Sequence, residues 1–267
     1  MPLNCILYLG EMSTMLSLFL RYAKKALLIL LIGAMIIGNV MSPSNKSNLE
    51  TMHTSYAIEY CERQCEIIVR AGEYEGKAGK RIYVNNCTVN LPDDIPIRND
   101  GDGKGFYVSE WDINVKESKA LVEKLQANGI NAKLQIAHNK SEDLNAAGRI
   151  ANKSNPKLYI SIHHNYYESN STGYFSMYNP DNEQSKQLAI RLSNAIENNS
   201  QVPRKDCRPN TGYIGEMNMI NDSTVPVLLE LGFFSNIAEL EQICSDSYVD
   251  YVSSNLAKEI TLILSEN

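Results

Sequence analysis

Two histidines, His163 and His164, close the stretch YISIHHN (Tyr159–Asn165), where alternating apolar residues give way to polar ones. An imidazole at a strand end can ligate a metal or relay a proton. Glu230 stands in VLLELGFF (Val227–Phe234), with apolar neighbours in sequence on both sides. Burying a carboxylate there without a partner is expensive. Such burial raises a carboxyl pKa towards the range useful for general acid–base chemistry. Glu110 lies in SEWDIN (Ser109–Asn114), between a polar loop and a helical pattern. An imidazole and two carboxylates could together bind a metal and activate water.

These groups must be held by an ordered frame, and the hydropathy pattern supplies one. From Arg81 onward strands and helices alternate. Ile82–Val84 reads as a short strand, followed by a long loop from Leu91 to Val108, rich in Asp, Gly, Pro and Asn. Val115, Ser118, Leu121, Val122 and Leu125 recur at helical spacing, and Gly129 follows as a stop. Ala132, Leu134 and Ile136 alternate as in a strand. Ser141 is expected to cap a helix carrying Leu144, Ala147, Ile150 and Ala151. Leu188, Leu192 and Ile196 mark another helix. The run Val225–Phe234 suits a strand covered on both faces. Asn236 with Glu239 resembles a capping box, and Val249 to Ile263 repeats as an amphipathic helix. This order predicts an α/β fold, a single domain with a mostly parallel mixed sheet flanked by helices. Ligands of such sheets bind beyond the carboxyl ends of strands, which is where His163, Glu230 and Glu110 fall.

Upstream the chain changes character. Arg21, Lys24 and Lys25 precede an uncharged apolar stretch, Ala26–Met41, which reads as a signal peptide or signal-anchor helix. The positive flank places the bulk of the chain outside the cytoplasm. The expected organisation is an n-region over 1–25, cytoplasmic or untranslated, the apolar segment over 26–41, a linker and short helical segment over 42–80, and a catalytic domain over 81–267. Within the linker region, Thr51–Val69 is read as a helix and Gly72–Lys80 as a loop. The net charge of −6, without a long basic run, excludes a nucleic-acid partner. Six cysteines (Cys5, Cys61, Cys65, Cys87, Cys207 and Cys244) match no zinc-finger spacing, and disulfides are possible in an exported chain.

Four ordered motifs resemble the zinc-dependent N-acetylmuramoyl-L-alanine amidases of the type 3 family. SIHHN (Ser161–Asn165) resembles the S-I-H-x-N strand end. EWDINVKESKALVEKLQANG (Glu110–Gly129) resembles the E-x-D-x-N motif and its helix. LNAAGRIAN (Leu144–Asn152) resembles L-x-x-R-x-x-x-A-N, and VPVLLELGFFSN (Val225–Asn236) resembles P-A-x-L-x-E-x-G-F-x-S-N. The resemblance implies one catalytic zinc ion held by Glu110 and His163, with Glu230 as general base and acid and His164 in the outer shell or facing outward. It implies hydrolysis of the amide between N-acetylmuramic acid and L-alanine of peptidoglycan, at the cell wall, with membrane attachment if Ala26–Met41 is retained.

One element departs from the pattern. The family's first zinc ligand is the histidine of D-x-G-H-G-G after the first strand. With Ile82–Val84 taken as that strand, NNCTVN (Asn85–Asn90) follows, and no histidine lies between Ala71 and Ala137. Cys87 is the nearest substitute as a zinc ligand, with Asp93, Asp94, Asp100 or Asp102 as oxygen alternatives, or no third ligand. His138 and His53 are poorly placed. The lost histidine motif also allows an alternative function, a catalytically impaired module that binds the wall or a partner.

Overall fold

A computed structural model describes residues 65–76, 80–85, 88–197, 202–212 and 214–266. Ala26–Met41, His53 and Cys87 lie outside the described residues. No helix among the described residues is long and apolar enough to cross a membrane.

The central sheet has six strands. They are β1 (Ile67–Tyr74), β5 (Ala132–Ala137), β6 (Leu158–Asn165), β7 (Phe175–Tyr178), β8 (Arg208–Pro209) and β9 (Val225–Phe233). Their spatial order is β5-β1-β6-β9-β7-β8. β5, β1, β6 and β9 run parallel, and β7 is antiparallel to β9. This is the mostly parallel mixed sheet expected of the α/β class. Its register aligns Val69 with Leu134 on one side and Ile160 on the other.

β1 corrects the reading of the upstream segment. Its sequence IIVRAGEY occupies the middle of the sheet, so Ile67–Val69 are strand rather than helix, and Gly72–Tyr74 belong to that strand rather than to a loop. Ile67 and Val69 face one side and Ile68 the other, as period-two alternation requires. The sheet thus takes in residues upstream of Arg81.

A second, antiparallel sheet joins β2 (Arg81–Tyr83), β3 (Arg98–Asn99) and β4 (Phe106–Ser109) in the order β2-β4-β3. The expected loop Leu91–Val108 therefore contains two short strands. They are linked by NDGDGKG, whose Gly101, Gly103 and Gly105 all have positive φ.

Three helices cover one face of the central sheet. They are α1 (Glu110–Ala127), α3 (Glu183–Ala195) and α6 (Asp246–Glu266). Ile113, Leu121 and Leu125 of α1 share a core with Val69, Ile160, Val227, Leu192 and Leu256. Truncating Leu121, which is fully buried, to Ala would cost about 2–5 kcal/mol. The other face has thinner cover from α2 (Asn145–Asn152) and α4 (Gly215–Asn218), with Ile68, Tyr159 and Ala151 packed together. α2 does not begin as expected. Ser141 lies in a 3-10 turn (Lys140–Glu142), where its N–H donates to Asn139 Oδ1, and α2 starts after Leu144 with no side-chain cap. Asn236 does cap α5 (Ile237–Cys244), accepting from the N–H groups of Ala238 and Glu239. Cys65, Cys207 and Cys244 are free thiols.

Candidate metal and acid–base centre

The site forms at the carboxyl ends of β1, β6 and β9, where α1 begins. Ser109 caps α1 by accepting the N–H of Trp111, which fixes Glu110 as the first helical residue. Glu110 is wholly buried and points back at the sheet. Its Oε1 lies 3.1 Å from His163 Nδ1 and accepts the backbone N–H of His164 at 3.3 Å. Asn114, one turn along α1, donates to the same oxygen and to the carbonyl of Gly72.

His163 is paired with Glu230 across β6 and β9, and Glu230 with Phe175 across β9 and β7. Directly paired residues project to the same face, so His163, Glu230 and Phe175 form one row on the thinly covered side. Gly72 makes room at the end of that row. A Cβ there would stand 2.3 Å from the His163 ring, so any side chain would force the imidazole away.

The third group is Glu73. Ligand atoms of Glu73, Glu110 and His163 lie within 4.8 Å of one another, and they form the one such cluster found among the described residues. Glu73 has φ 66, a left-handed conformation that turns its side chain inward as β1 ends. Lys80 Nζ lies 3.6 Å from Glu110 Oε2 and 3.8 Å from Glu73 Oε1.

Behind the row sits a buried ion-pair chain. Arg70 of β1, 1 % exposed, pairs with both Asp143 and Glu216 of α4. Glu216 Oε1 lies 3.2 Å from His163 Nε2. Burial disfavours charge on the imidazole, but hydrogen bonds to Glu110 and Glu216 outweigh it and lift His163 to about 10. Burial likewise acts against charge on Glu110 and Glu216. His163 and Lys80 hold Glu110 low, and Arg70 and His163 hold Glu216 low. For Glu230 burial wins and pushes the carboxyl up to about 7, helped by the nearby Glu110 charge. His164 is wholly buried on the opposite face, so it does not face outward. Its Nδ1 meets Asn114 Oδ1 at 2.8 Å, and burial drops its pKa to about 3. It is a neutral prop for the Asn114–Glu110 contact.

Among the described residues, five acids (Glu73, Glu110, Glu216, Glu230 and Asp143) gather with Arg70, Lys80 and the His163 imidazolium. Glu110 Oε2 and Glu230 Oε2 are buried without a hydrogen-bond partner among the described residues. An imidazole, two carboxylates and unpartnered acid oxygens fit a divalent cation.

The expected oxygen alternatives are elsewhere. Asp94 pairs with Lys116, Asp100 accepts the N–H of Asp102 within its turn, and Asp93 and Asp102 are exposed. His138 is exposed and pairs with Glu75.

The family model for N-acetylmuramoyl-L-alanine amidases matches residues 98–262. The chain belongs to the N-acetylmuramoyl-L-alanine amidase family. It is 30% identical over 132 residues to the germination-specific N-acetylmuramoyl-L-alanine amidase of Bacillus subtilis, covering 48% of this chain and 53% of that one. The chain thus spans about half the length of that curated relative. Its fold is similar to the catalytic domain of CwlV, an amidase from Bacillus (Paenibacillus) polymyxa var. colistinus. That match has TM-score 0.57 and 18% identity over 75% of this chain and 98% of that one. It is also similar to an N-acetylmuramoyl-L-alanine amidase from Clostridium difficile 630, with TM-score 0.56 and 17% identity over 77% and 99%.

With β1 as the first strand of this amidase fold, RAGE (Arg70–Glu73) replaces D-x-G-H. The match to the family model begins only at residue 98, and the resemblance of this segment rests on Gly72 and on its place at the end of β1. Sequence reading missed Glu73, Arg70, Lys80 and Glu216. The retained glycine, Gly72, directly after an apolar run was the available signal for the first two.

Proposed function

We propose that this amidase-family chain is a peptidoglycan hydrolase that cleaves the amide between N-acetylmuramic acid and L-alanine of the stem peptide. The observation that supports it most is the convergence of Glu73, Glu110 and His163 beside the raised carboxyl of Glu230. In this reading Glu73, Glu110 and His163 hold a zinc ion, and Cys87 is not needed to complete three ligands. Bound there, zinc supplies a Lewis acid that lowers the pKa of a water and polarises the substrate carbonyl.

The chain's own groups do the rest. Glu216 accepts from His163 Nε2, which leaves Nδ1, the nitrogen facing Glu110, as donor to the metal. Glu230 takes a proton from the attacking water and returns it to the leaving amine, and a carboxyl pKa near neutrality suits both transfers. Two carboxylates and one imidazole cancel the charge of a divalent ion. Two imidazoles and one carboxylate would leave it positive. A less positive centre acidifies water less, so the pH optimum should lie on the basic side.

Action outside the cytoplasm, with attachment through Ala26–Met41, extends this reading; the basic flank of that segment supports it. A second reading, a catalytically impaired wall-binding module, draws on Lys80, whose ammonium already sits beside Glu110 and Glu73. Zinc stoichiometry and free-amine release from purified peptidoglycan separate the two. The enzyme reading expects bound zinc and amine release that falls about 10²–10⁴-fold in Glu230→Gln. Zinc-free protein that releases no amine supports the binding module instead.

A further inference from the structure

Beside the row His163, Glu230 and Phe175 stands a cation of the next strand, Arg208, which is registered with Met177 and reaches back to Phe175. Arg208 of β8 places its guanidinium carbon 4.4 Å from the centre of the Phe175 ring. The side chain is exposed, and among the described residues it has no carboxylate partner. Arg70, Arg98, Arg191 and Arg204 all pair with acids. On the same side Lys205 holds its ammonium 4.6 Å over the Phe233 ring and likewise has no acid partner among the described residues. An arginine fork resting on an aromatic face keeps its donors directed outward, ready for a planar anion.

We infer that Arg208 is a specificity-determining residue that recognises a carboxylate of the stem peptide. This rests on the hydrolase reading proposed above. β7 lies beside β9 and β8 beyond β7, at about 5 Å per strand, so a guanidinium that reaches from β8 back over Phe175 stands about 5–10 Å to the side of the Glu230 strand, the length of two to three extended residues. With the scissile amide at Glu230, that distance reaches the residue after L-alanine, which is acidic in a stem peptide. Arg208 is a cation beside the row with no acid partner among the described residues, and its fork can bind both oxygens of one carboxylate.

The test uses two ligands, the γ-methylamide of N-acetylmuramoyl-L-alanyl-D-glutamate with its α-carboxylate free and the same compound with that group amidated. Binding is measured calorimetrically to the zinc-loaded chain carrying Glu230→Gln, with and without Arg208→Met or Arg208→Lys. Amine release from both ligands is measured for the unaltered chain. The free acid should bind about tenfold tighter than the amide, the worth of a charge-assisted pair. Arg208→Met should abolish that preference, and Arg208→Lys should restore part of it. An unchanged acid-to-amide ratio in Arg208→Met overturns the inference, whether or not amine is released. An Arg208-dependent preference without any amine release would retain Arg208 and overturn the hydrolase reading.

Discussion

Glu216 Oε1 and His163 Nε2 lie 3.2 Å apart, and the other oxygen of the same carboxylate pairs with the buried Arg70. This makes a line of alternating charge from β1 through α4 to β6 and on to Glu110. The line fixes the imidazole from its Nε2 side, where Gly72, lacking a side chain, lets the backbone lie against the ring. Orientation of the imidazole is therefore built into the sheet.

Glu216→Gln tests that positioning. The amide cannot accept from His163 and pair with Arg70 as a charge, so the ring loses its fixed tautomer. Loss of such an outer partner typically weakens metal binding about 10–100-fold. Zinc affinity measured by competition with a chelating dye should fall by that amount, while circular dichroism remains that of a folded chain. Unaltered affinity would assign Glu216 to structure alone.

Lys80 acts in the opposite sense. Its ammonium lies within 3.8 Å of both acids that a cation would use, and its side chain is 39% exposed, so it can swing out. Metal and ammonium thus compete for Glu73 and Glu110. Lys80→Met removes the competitor, and zinc should bind about tenfold more tightly, a difference of about 1.4 kcal/mol. The same dye competition reads the change; weaker binding in Lys80→Met would show that the lysine helps to hold the site together.

How far the sequence reveals this arrangement follows from where each signal originates. Glu110, His163 and Glu230 were legible because each ends or interrupts a strongly patterned element. The continuous apolar run around Glu230 and the alternation leading to His163 are both local. β1 was not legible: Arg70 sits in its middle, and a charged residue there breaks the apolar run that marks a buried parallel strand. Only Asp143 and Glu216, distant in sequence, make that charge tolerable. Taking Ile82–Val84 as the first strand directed attention to Cys87, which lies outside the described residues, and left Glu73 at the end of β1 unread. Glu216 had no local signal, since α4 is four residues long and its role is defined by contacts across the fold.

Glu117 offers a last test, on stability rather than catalysis. It projects from α1 into the core, 1% exposed, and neither carboxyl oxygen has a hydrogen-bond partner. Burial pushes its pKa well above the ordinary 4.5, and Lys116 only partly opposes this. Tyr248 and Cys244 also feel its charge, and burial holds both of them neutral. The folded chain therefore keeps a proton on Glu117 that the unfolded chain releases above about pH 4.5. Its contribution to stability is complete below that value and is lost as pH rises towards the folded pKa. The loss amounts to about 1.4 kcal/mol per pH unit over that window. Other raised groups, His163 and Glu230 among them, share the sign, so the difference between the native chain and Glu117→Gln isolates this one. Urea unfolding at pH 5, 6.5 and 8 should show Glu117→Gln gaining on the native chain as pH rises; parallel pH profiles would mean that Glu117 is ionised and paired in the folded state.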